Sequence, residues 1–269
     1  MKYDPIKHSL GVVFNKKPFL RKLFYRLLDL LLLRTWHVKK AIRRWKRDYL
    51  SGAKILDAGS GFGQYSYYLS KQSESWNILG VDVKTEQIED CNQFFDQIGE
   101  SGRVMFEYAD LTKFTKPTEY DLILSVDVME HILEDVEVFK NFYSSLNDNG
   151  MVLISTPSDQ GGSDVHDEDD HSFIDEHVRD GYNIQEIENK LKTAGFSKVD
   201  AKYSYGTPGN ISWKLSMKYP ILMLNASKLF FVILPIYYII TYPFSYVLNY
   251  MDVNMKHKTG TGLIVKAYK

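Results

Sequence analysis

The chain has 269 residues, 44% hydrophobic and 25% charged, which excludes general disorder and fits one large domain or one domain with an insertion. Its single cysteine, Cys91, excludes an intrachain disulfide framework and a cysteine-built zinc site. The net charge of -1 conceals three blocks: residues 1–54 carry 15 Lys/Arg and 3 Asp/Glu, residues 55–208 carry 11 and 30, and residues 209–269 carry 7 and 1. Basic flanks around an acidic centre point to a polyanionic surface as partner, nucleic acid or membrane, or to flanks that fold back onto the centre.

From Phe19 to Tyr49 the pattern is helical, with Leu20, Leu23, Phe24, Leu27, Leu28, Leu31 and Leu32 at three- and four-residue steps. The apolar run 27–33 is broken by Asp29 and followed by Arg34, so it does not read as a cleavable leader. The basic stretch 39–47, with Trp45, suits either an interfacial membrane helix or a helix capping a domain. From Lys54 strands and helices alternate. Strands are expected at 54–58, 77–83, 103–109, 120–126 and 151–156, and helices at 64–71, 85–98 and 132–146, with Thr85 as the N-cap of the second. This order predicts a parallel sheet with helices on both faces. An acidic loop, 158–180, is followed by a helix, 183–194, whose capping box runs from Asn183 to Glu186, and by a strand, 197–204. A last strand is expected at 262–267.

The first strand ends in Asp57-Ala58-Gly59-Ser60-Gly61-Phe62-Gly63. The spacing is G-x-G-x-G, with Gln64 where a dinucleotide fingerprint has its third glycine. Asp57 would repel a pyrophosphate and suits an ammonium or sulfonium ligand. Asp82 ends the second strand, where a carboxylate takes a ribose diol, and Asp110 follows the third, placed to accept from an adenine amine. Three aspartates at successive strand ends share one sheet edge.

These residues, with Gly80-Val81-Asp82-Val83, Tyr108-Ala109-Asp110-Leu111, Tyr120-Asp121-Leu122-Ile123-Leu124-Ser125 and Val128-Met129-Glu130-His131-Ile132, resemble the class I S-adenosylmethionine-dependent methyltransferases of the bacterial small-molecule kind. The resemblance covers roughly 50–208 plus the last strand. It implies a Rossmann-like α/β fold, a seven-stranded sheet with its last strand antiparallel. It implies that Gly59, Gly61 and Gly63 line the methionine moiety and Asp57 serves its amino group. Asp82 would hold the ribose with Val83 against the adenine, Asp110 and Leu111 would bind the adenine edge and face, Ser125 would approach the methyl end, and Tyr65 would reach the carboxylate. The organisation that follows is a basic helical arm, 1–50, a cofactor-binding core, 51–208, a hydrophobic insertion, 209–258, and the last strand within 259–269.

Methyl transfer from a sulfonium relies on positioning, and a base is needed only for a protonated acceptor. His131, past the fourth strand, is the first candidate base; its alternative role is to shape the pocket through hydrogen bonds. His177 and Arg179 are further substrate-side candidates, and Arg179 can instead be a surface ion-pair residue. The acidic, histidine-bearing loop 164–177 reads as a solvated loop, so no metal is expected. The insertion contains 23 uncharged residues, Leu229–Met251, long enough to span a bilayer. Pro235 and Pro243 argue against a straight helix, and five tyrosines favour an interface. A single crossing would put the last strand on the wrong side of a membrane. The insertion is therefore a pocket roof, a membrane-surface element or a dimer interface. The expected function is methyl transfer to a small, lipophilic acceptor, O-methylation first, in the cytoplasm with peripheral membrane contact through 19–49 and 209–258. No nucleic-acid partner is expected. The alternatives are a nicotinamide-dependent oxidoreductase and a non-catalytic membrane-surface module.

Overall fold

A computed structural model describes residues 17–47, 52–161, 178–227 and 229–269. Two helices, α1 (Pro18–Leu31) and α2 (Leu33–Trp45), precede β1 (Lys54–Ala58), α3 (Gln64–Ser70), β2 (Asn77–Asp82), α4 (Thr85–Gln97), β3 (Val104–Tyr108) and β4 (Tyr120–Val126). A single 3-10 turn, Met129–His131, leads to α5 (Asp135–Ser145), β5 (Leu146–Pro157), α6 (Ile184–Thr193) and β6 (Lys198–Ser204). Then come α7 (Thr207–Trp213), a π-helical turn (Lys214–Lys218), α8 (Tyr219–Ala226), α9 (Phe230–Asn254) and β7 (Gly262–Tyr268).

The strands form one seven-stranded sheet in the order β3-β2-β1-β4-β5-β7-β6. β1 to β5 are parallel, and β7 runs antiparallel to both β5 and β6. The fold is the expected Rossmann-like one, with its last strand reversed. Strands buried on both faces read as continuous apolar runs, which is why β1 and β4 were legible. One core layer packs α5 and α6 onto the sheet through Phe139, Phe142, Ile187 and Leu191. The other packs α3 and α4 through Leu69, Cys91, Phe94 and Phe95.

Local details differ from the expectations. The arm is two helices, because Leu32 is extended between them at φ -91°, ψ 108°. α2 joins the second core layer and buries Val38, Ala41, Ile42 and Trp45; Val38 and Ile42, fully buried, contribute about 1.5–3 kcal/mol each. Thr85 is the first helical residue of α4, and Lys84 occupies the N-cap without a side-chain bond. At α6 the Asn183 side chain does accept from Gln185 N at 2.9 Å, but Glu186 pairs forward with Lys190 at 2.8 Å, so the box is not closed. β5 begins at Leu146, with a register shift opposite Tyr120–Leu122.

The insertion leaves and returns at one place. Ser204 pairs with Gly262 in the β6–β7 ladder, and Thr261 N donates to Tyr205 O at 3.3 Å. Between these feet α7, the π turn and α8 run out, and α9 runs back against them. The π register leaves carbonyls that tyrosines of α9 fill: Tyr237 Oη donates to Leu215 O at 2.7 Å and Tyr238 Oη to Ser216 O at 2.8 Å. Only Leu234, Ser245, Asn249 and Asp252 of α9 are buried.

Candidate functional site

The carboxyl ends of β1, β2, β3 and β4 are neighbours in the sheet, so the residues that follow them converge on one edge. Asp57 is buried at the end of β1 and accepts from Ser66 Oγ at 2.6 Å. Burial pushes its carboxyl up to about 6; Ser66 pulls it down, and nearby Asp82 adds to the rise. A cation at this position would relieve that cost.

The glycine loop needs its glycines. Gly59, Gly61 and Gly63 have φ of 79°, 49° and 71°. A Cβ on Gly59 would meet Val128 Cγ2 at 2.3 Å, whereas one on Gly61 would find nothing nearer than Gln87 Oε1 at 3.8 Å. The face of Gly61 is therefore open to a ligand, and the back of Gly59 is packed. The loop is tied to β2: Gly59 N and Ser60 N both donate to Val81 O at 2.9 Å, and Gly61 N donates to Asp82 Oδ2 at 2.9 Å. Lys84 N occupies Oδ1 of Asp82 at 3.0 Å, and each oxygen keeps a lone pair for a diol.

Val83 is exposed beside it, as an adenine platform requires, and Leu111 is buried after β3. Asp110 binds Thr112 N and Oγ1 through Oδ1, at 3.0 and 2.7 Å, which holds its carboxyl below the usual range. Its Oδ2 lies 3.9 Å from Lys113 Nζ. Ser125 on β4 is fully buried, and among the described residues its hydroxyl has no partner, nor does that of Ser60. Buried orphan hydroxyls on this edge call for a ligand that the chain does not itself supply. The set fits S-adenosylmethionine: a buried carboxylate for an ammonium, a second for a ribose diol, an open glycine face and free hydroxyls.

The residues around Tyr65 and after β4 were less legible. Tyr65 is buried, and its hydroxyl sits 3.3 Å from Thr35 Oγ1 on the arm, with Arg34, Asp127 and Tyr205 as further electrostatic neighbours. It turns toward α2 rather than standing free over the loop. Asp127 follows β4 with φ 53°, a left-handed conformation that aspartate tolerates better than most non-glycine residues, and pairs with Arg34. Arg34 N also donates to Tyr205 Oη at 3.0 Å. Glu130 is buried and accepts from Thr156 Oγ1 at 3.1 Å; burial first, and Asp127 next, push it up to about 8. His131 closes the 3-10 turn and is half-buried.

Arg34, Thr35, Asp127, Glu130 and Tyr205 were not singled out from sequence. Asp127 and Glu130 lie inside the segment after β4 and carried the only local signal. Arg179 pairs with Asp135 and donates to Ile132 O at 2.6 Å, beside Lys190, which reaches Asp135 at 2.7 Å. It braces the start of α5 and is an ion-pair residue. His177 and the stretch 162–177 lie outside the described residues.

The N-terminal arm also grips the glycine loop from behind. Arg21 is buried and donates to Phe62 O at 3.0 Å, Asp90 O at 2.9 Å and Cys91 Sγ at 3.0 Å. Tyr25 Oη donates to the same Phe62 carbonyl.

A family model of a methyltransferase domain matches residues 50–201. Over 158 residues, 58% of this chain, the sequence is 30% identical to phosphoethanolamine N-methyltransferase 1 of Triticum aestivum, of which it covers 31%. Over 119 residues, 44% of this chain, it is 24% identical to a ubiquinone biosynthesis O-methyltransferase of Rickettsia akari, of which it covers 45%. The chain thus spans less than half the length of these relatives. The fold superposes on Haemonchus contortus phosphoethanolamine N-methyltransferase 2 in complex with S-adenosyl-L-methionine with a TM-score of 0.59, at 20% identity, over 81% of this chain and 49% of that one.

Proposed function

The chain belongs to the methyltransferase domain family; from that premise we propose that it is a class I S-adenosylmethionine-dependent methyltransferase that methylates a small, lipophilic acceptor, first at oxygen. In this reading the core, 51–208 with 259–269, binds the cofactor through Asp57, Gly59, Gly61, Gly63, Asp82, Val83, Asp110, Leu111 and Ser125. The arm, 1–50, and the insertion, 209–258, build the acceptor side and touch a membrane peripherally from the cytoplasm. The carrying observation is the single sheet edge that joins two ligand-suited aspartates, an open glycine face and the orphan hydroxyl of Ser125.

S-adenosylmethionine supplies an electrophilic sulfonium methyl; its C–S bond breaks as the bond to the acceptor forms. The chain's own work is alignment and proton handling. His131 takes the proton of a hydroxyl acceptor. Tyr65, Thr35 and the Arg34–Asp127 pair shape the acceptor mouth, and Tyr65 serves there in place of a methionine-carboxylate contact.

A second reading is N-methylation, supported by the phosphoethanolamine N-methyltransferases to which the core is similar. The names of the relatives include both chemistries.

Calorimetry with S-adenosylmethionine tests the core. Asp82→Ala is expected to weaken binding about tenfold or more, the equivalent of losing a hydrogen bond to a charged group. Wild-type binding absent at millimolar cofactor, or unchanged in Asp82→Ala, overturns the assignment. Release of S-adenosylhomocysteine with a membrane lipid extract, against water-soluble amines and phenols, tests the acceptor. Turnover with the soluble set alone refutes a lipophilic one.

A further inference from the structure

The insertion presents an apolar surface that no other described residue covers. On α9, Leu229, Phe231, Val232, Ile236, Ile239 and Ile240 are 61–75% exposed. The helix is long and apolar enough to cross a membrane, yet only 6% of its most apolar window is buried. Such a contiguous patch on a soluble surface marks an interaction site.

The order of side chains along the hairpin identifies the partner. From Phe230 to Ile240 the charge-free end of α9 advances about 15 Å, the thickness of one leaflet's hydrocarbon layer. Tyr242, Tyr246 and Tyr250 follow at four-residue steps on one side of the helix, as residues at a membrane–water interface do. Tyr246 stands edge-on to Trp36 of the arm at 5.0 Å. Beside them opens a cleft of about 430 Å³, lined by Trp36, Tyr246, Tyr250, Lys39, Lys40 and Arg43, with Asp29 paired to Lys39. Arg43 is exposed at its wall. Hydrocarbon-facing, aromatic and cationic zones therefore succeed one another along one direction.

The arm adds to the same surface. Phe19, Leu23, Leu27 and Leu30 form an exposed stripe on α1, and the Leu30 carbonyl accepts from Tyr242 at 3.4 Å. Both feet of the insertion sit at the β6–β7 ladder, so the hairpin enters and leaves on one side. Its tyrosine hydroxyls at Tyr237 and Tyr238 are already satisfied by the π-turn carbonyls, which removes the cost of taking them into hydrocarbon.

We propose that α8 and α9 insert as a one-sided hairpin into a single leaflet of an anionic bilayer, and that the cleft at Lys39, Lys40 and Arg43 receives a phospholipid phosphate. This deepens the membrane contact in the functional reading above but needs no turnover.

The experiment is flotation of the full chain with phosphatidylcholine vesicles, pure or containing about 30% phosphatidylglycerol, at low and high salt. Wild type is expected to bind the anionic vesicles at least tenfold more than the neutral ones, with the difference shrinking in salt. Ile236→Asp with Ile239→Asp, both exposed, is expected to abolish binding. Arg43→Gln is expected to lower anionic binding by about fivefold, equivalent to about 1 kcal/mol, and to leave neutral binding unchanged. A fluorophore on Ile236→Cys is expected to be quenched by mid-acyl nitroxide lipids and shielded from quenchers on both aqueous sides; Cys91 is buried and does not compete.

Equal flotation of wild type and the Asp variant overturns the proposal. So does quenching from the vesicle lumen, which means a span. So does a wild-type dimer that ignores vesicles and dissociates in the Asp variant, which means that a second copy covers the surface. Cofactor calorimetry on each variant reports folding. Vesicle binding without cofactor binding would sink the functional reading and leave this one standing, and the reverse result would do the opposite.

Discussion

Alanine at Gly59 and at Gly61 separates two jobs of one loop. Both glycines have positive φ, so either substitution carries a left-handed strain of about 1–2 kcal/mol. At Gly59 the new Cβ also lands 2.3 Å from Val128 Cγ2 and 3.0 Å from Cγ1, an overpacking cost of about 1–3 kcal/mol. Gly59→Ala should therefore lose about 2–5 kcal/mol, and Gly61→Ala about 1–2 kcal/mol. Cofactor affinity should order differently. Gly61 opens onto the edge where the ligand-suited groups converge, so its methyl group meets the ligand rather than the protein. Urea denaturation without cofactor reads the first quantity, and calorimetry with S-adenosylmethionine the second. Gly59→Ala with Val128→Ala should recover part of the lost stability, and the double-mutant cycle isolates the contact. Equal stability of the two single variants, or a cycle with no coupling, refutes the packing argument. Full cofactor affinity in Gly61→Ala refutes the open-face assignment.

Three further outcomes follow from buried polar groups. The Asp57 carboxyl, at about 6, must ionise to hold an ammonium, so cofactor affinity should fall by up to tenfold per pH unit below 6 and level off above it; Asp57→Asn should flatten the profile at low affinity, and a wild-type profile that is flat from pH 4.5 to 7 refutes the role. Glu130 sits at about 8 against an ordinary 4.5, so between those values the folded chain keeps a proton that the unfolded chain has released, and stability without cofactor should fall as pH rises through that window. Glu130→Gln should remove the slope and stabilise the protein at pH 8–9 by an amount on the order of a few kcal/mol in urea melts; the same slope in both proteins refutes the burial argument. His131→Asn should lower kcat for a hydroxyl acceptor by about 10²-fold or more with cofactor affinity intact, and an unchanged kcat assigns the residue to pocket shape.

The cofactor edge was legible because its information is local. Each of β1 to β4 is a short apolar run that ends at, or within two residues of, an aspartate or glycine, and the alternation with helices dictates that these ends meet. The proposed acceptor side carries its information in pairs distant along the chain. Thr35 meets Tyr65 and Arg34 meets Asp127, and neither pair leaves a periodic trace. The same limit explains Tyr65: its place beside the glycine loop was readable, but the direction of its ring depends on an arm helix 30 residues earlier. The break at Leu32 was hidden because the leucine run continues across it and contains no proline or glycine. The insertion was legible as apolar but not as exposed. The face it buries includes Ser245, Asn249 and Asp252, so a hydrophobic pattern could not tell which side meets the protein.

Asp252 shows why the exposed hairpin is not an appendage. It is the only charged residue of α9, and it is fully buried. Burial alone would raise its carboxyl. The bond to His37 and the charges of His37 and His257 outweigh that and hold it below the usual range. His37 Nε2 lies 2.8 Å from Oδ1, Gly209 N donates to Oδ2 at 3.0 Å, and Tyr205 N donates to Oδ1 at 3.2 Å. One carboxylate thus ties the arm to both feet of the insertion, and removing a partner from such a buried charge typically costs about 3–5 kcal/mol. From this node the links run inward. Arg34, one helical turn before His37, bonds Tyr205 through its backbone and Asp127 through its side chain, and Asp127 follows the strand that carries Ser125. Every element that faces outward with apolar residues is therefore anchored within a few bonds of the acceptor side. Under the proposed function, a lipophilic acceptor leaving a leaflet along α9 would arrive at those feet without crossing the acidic surface of the core.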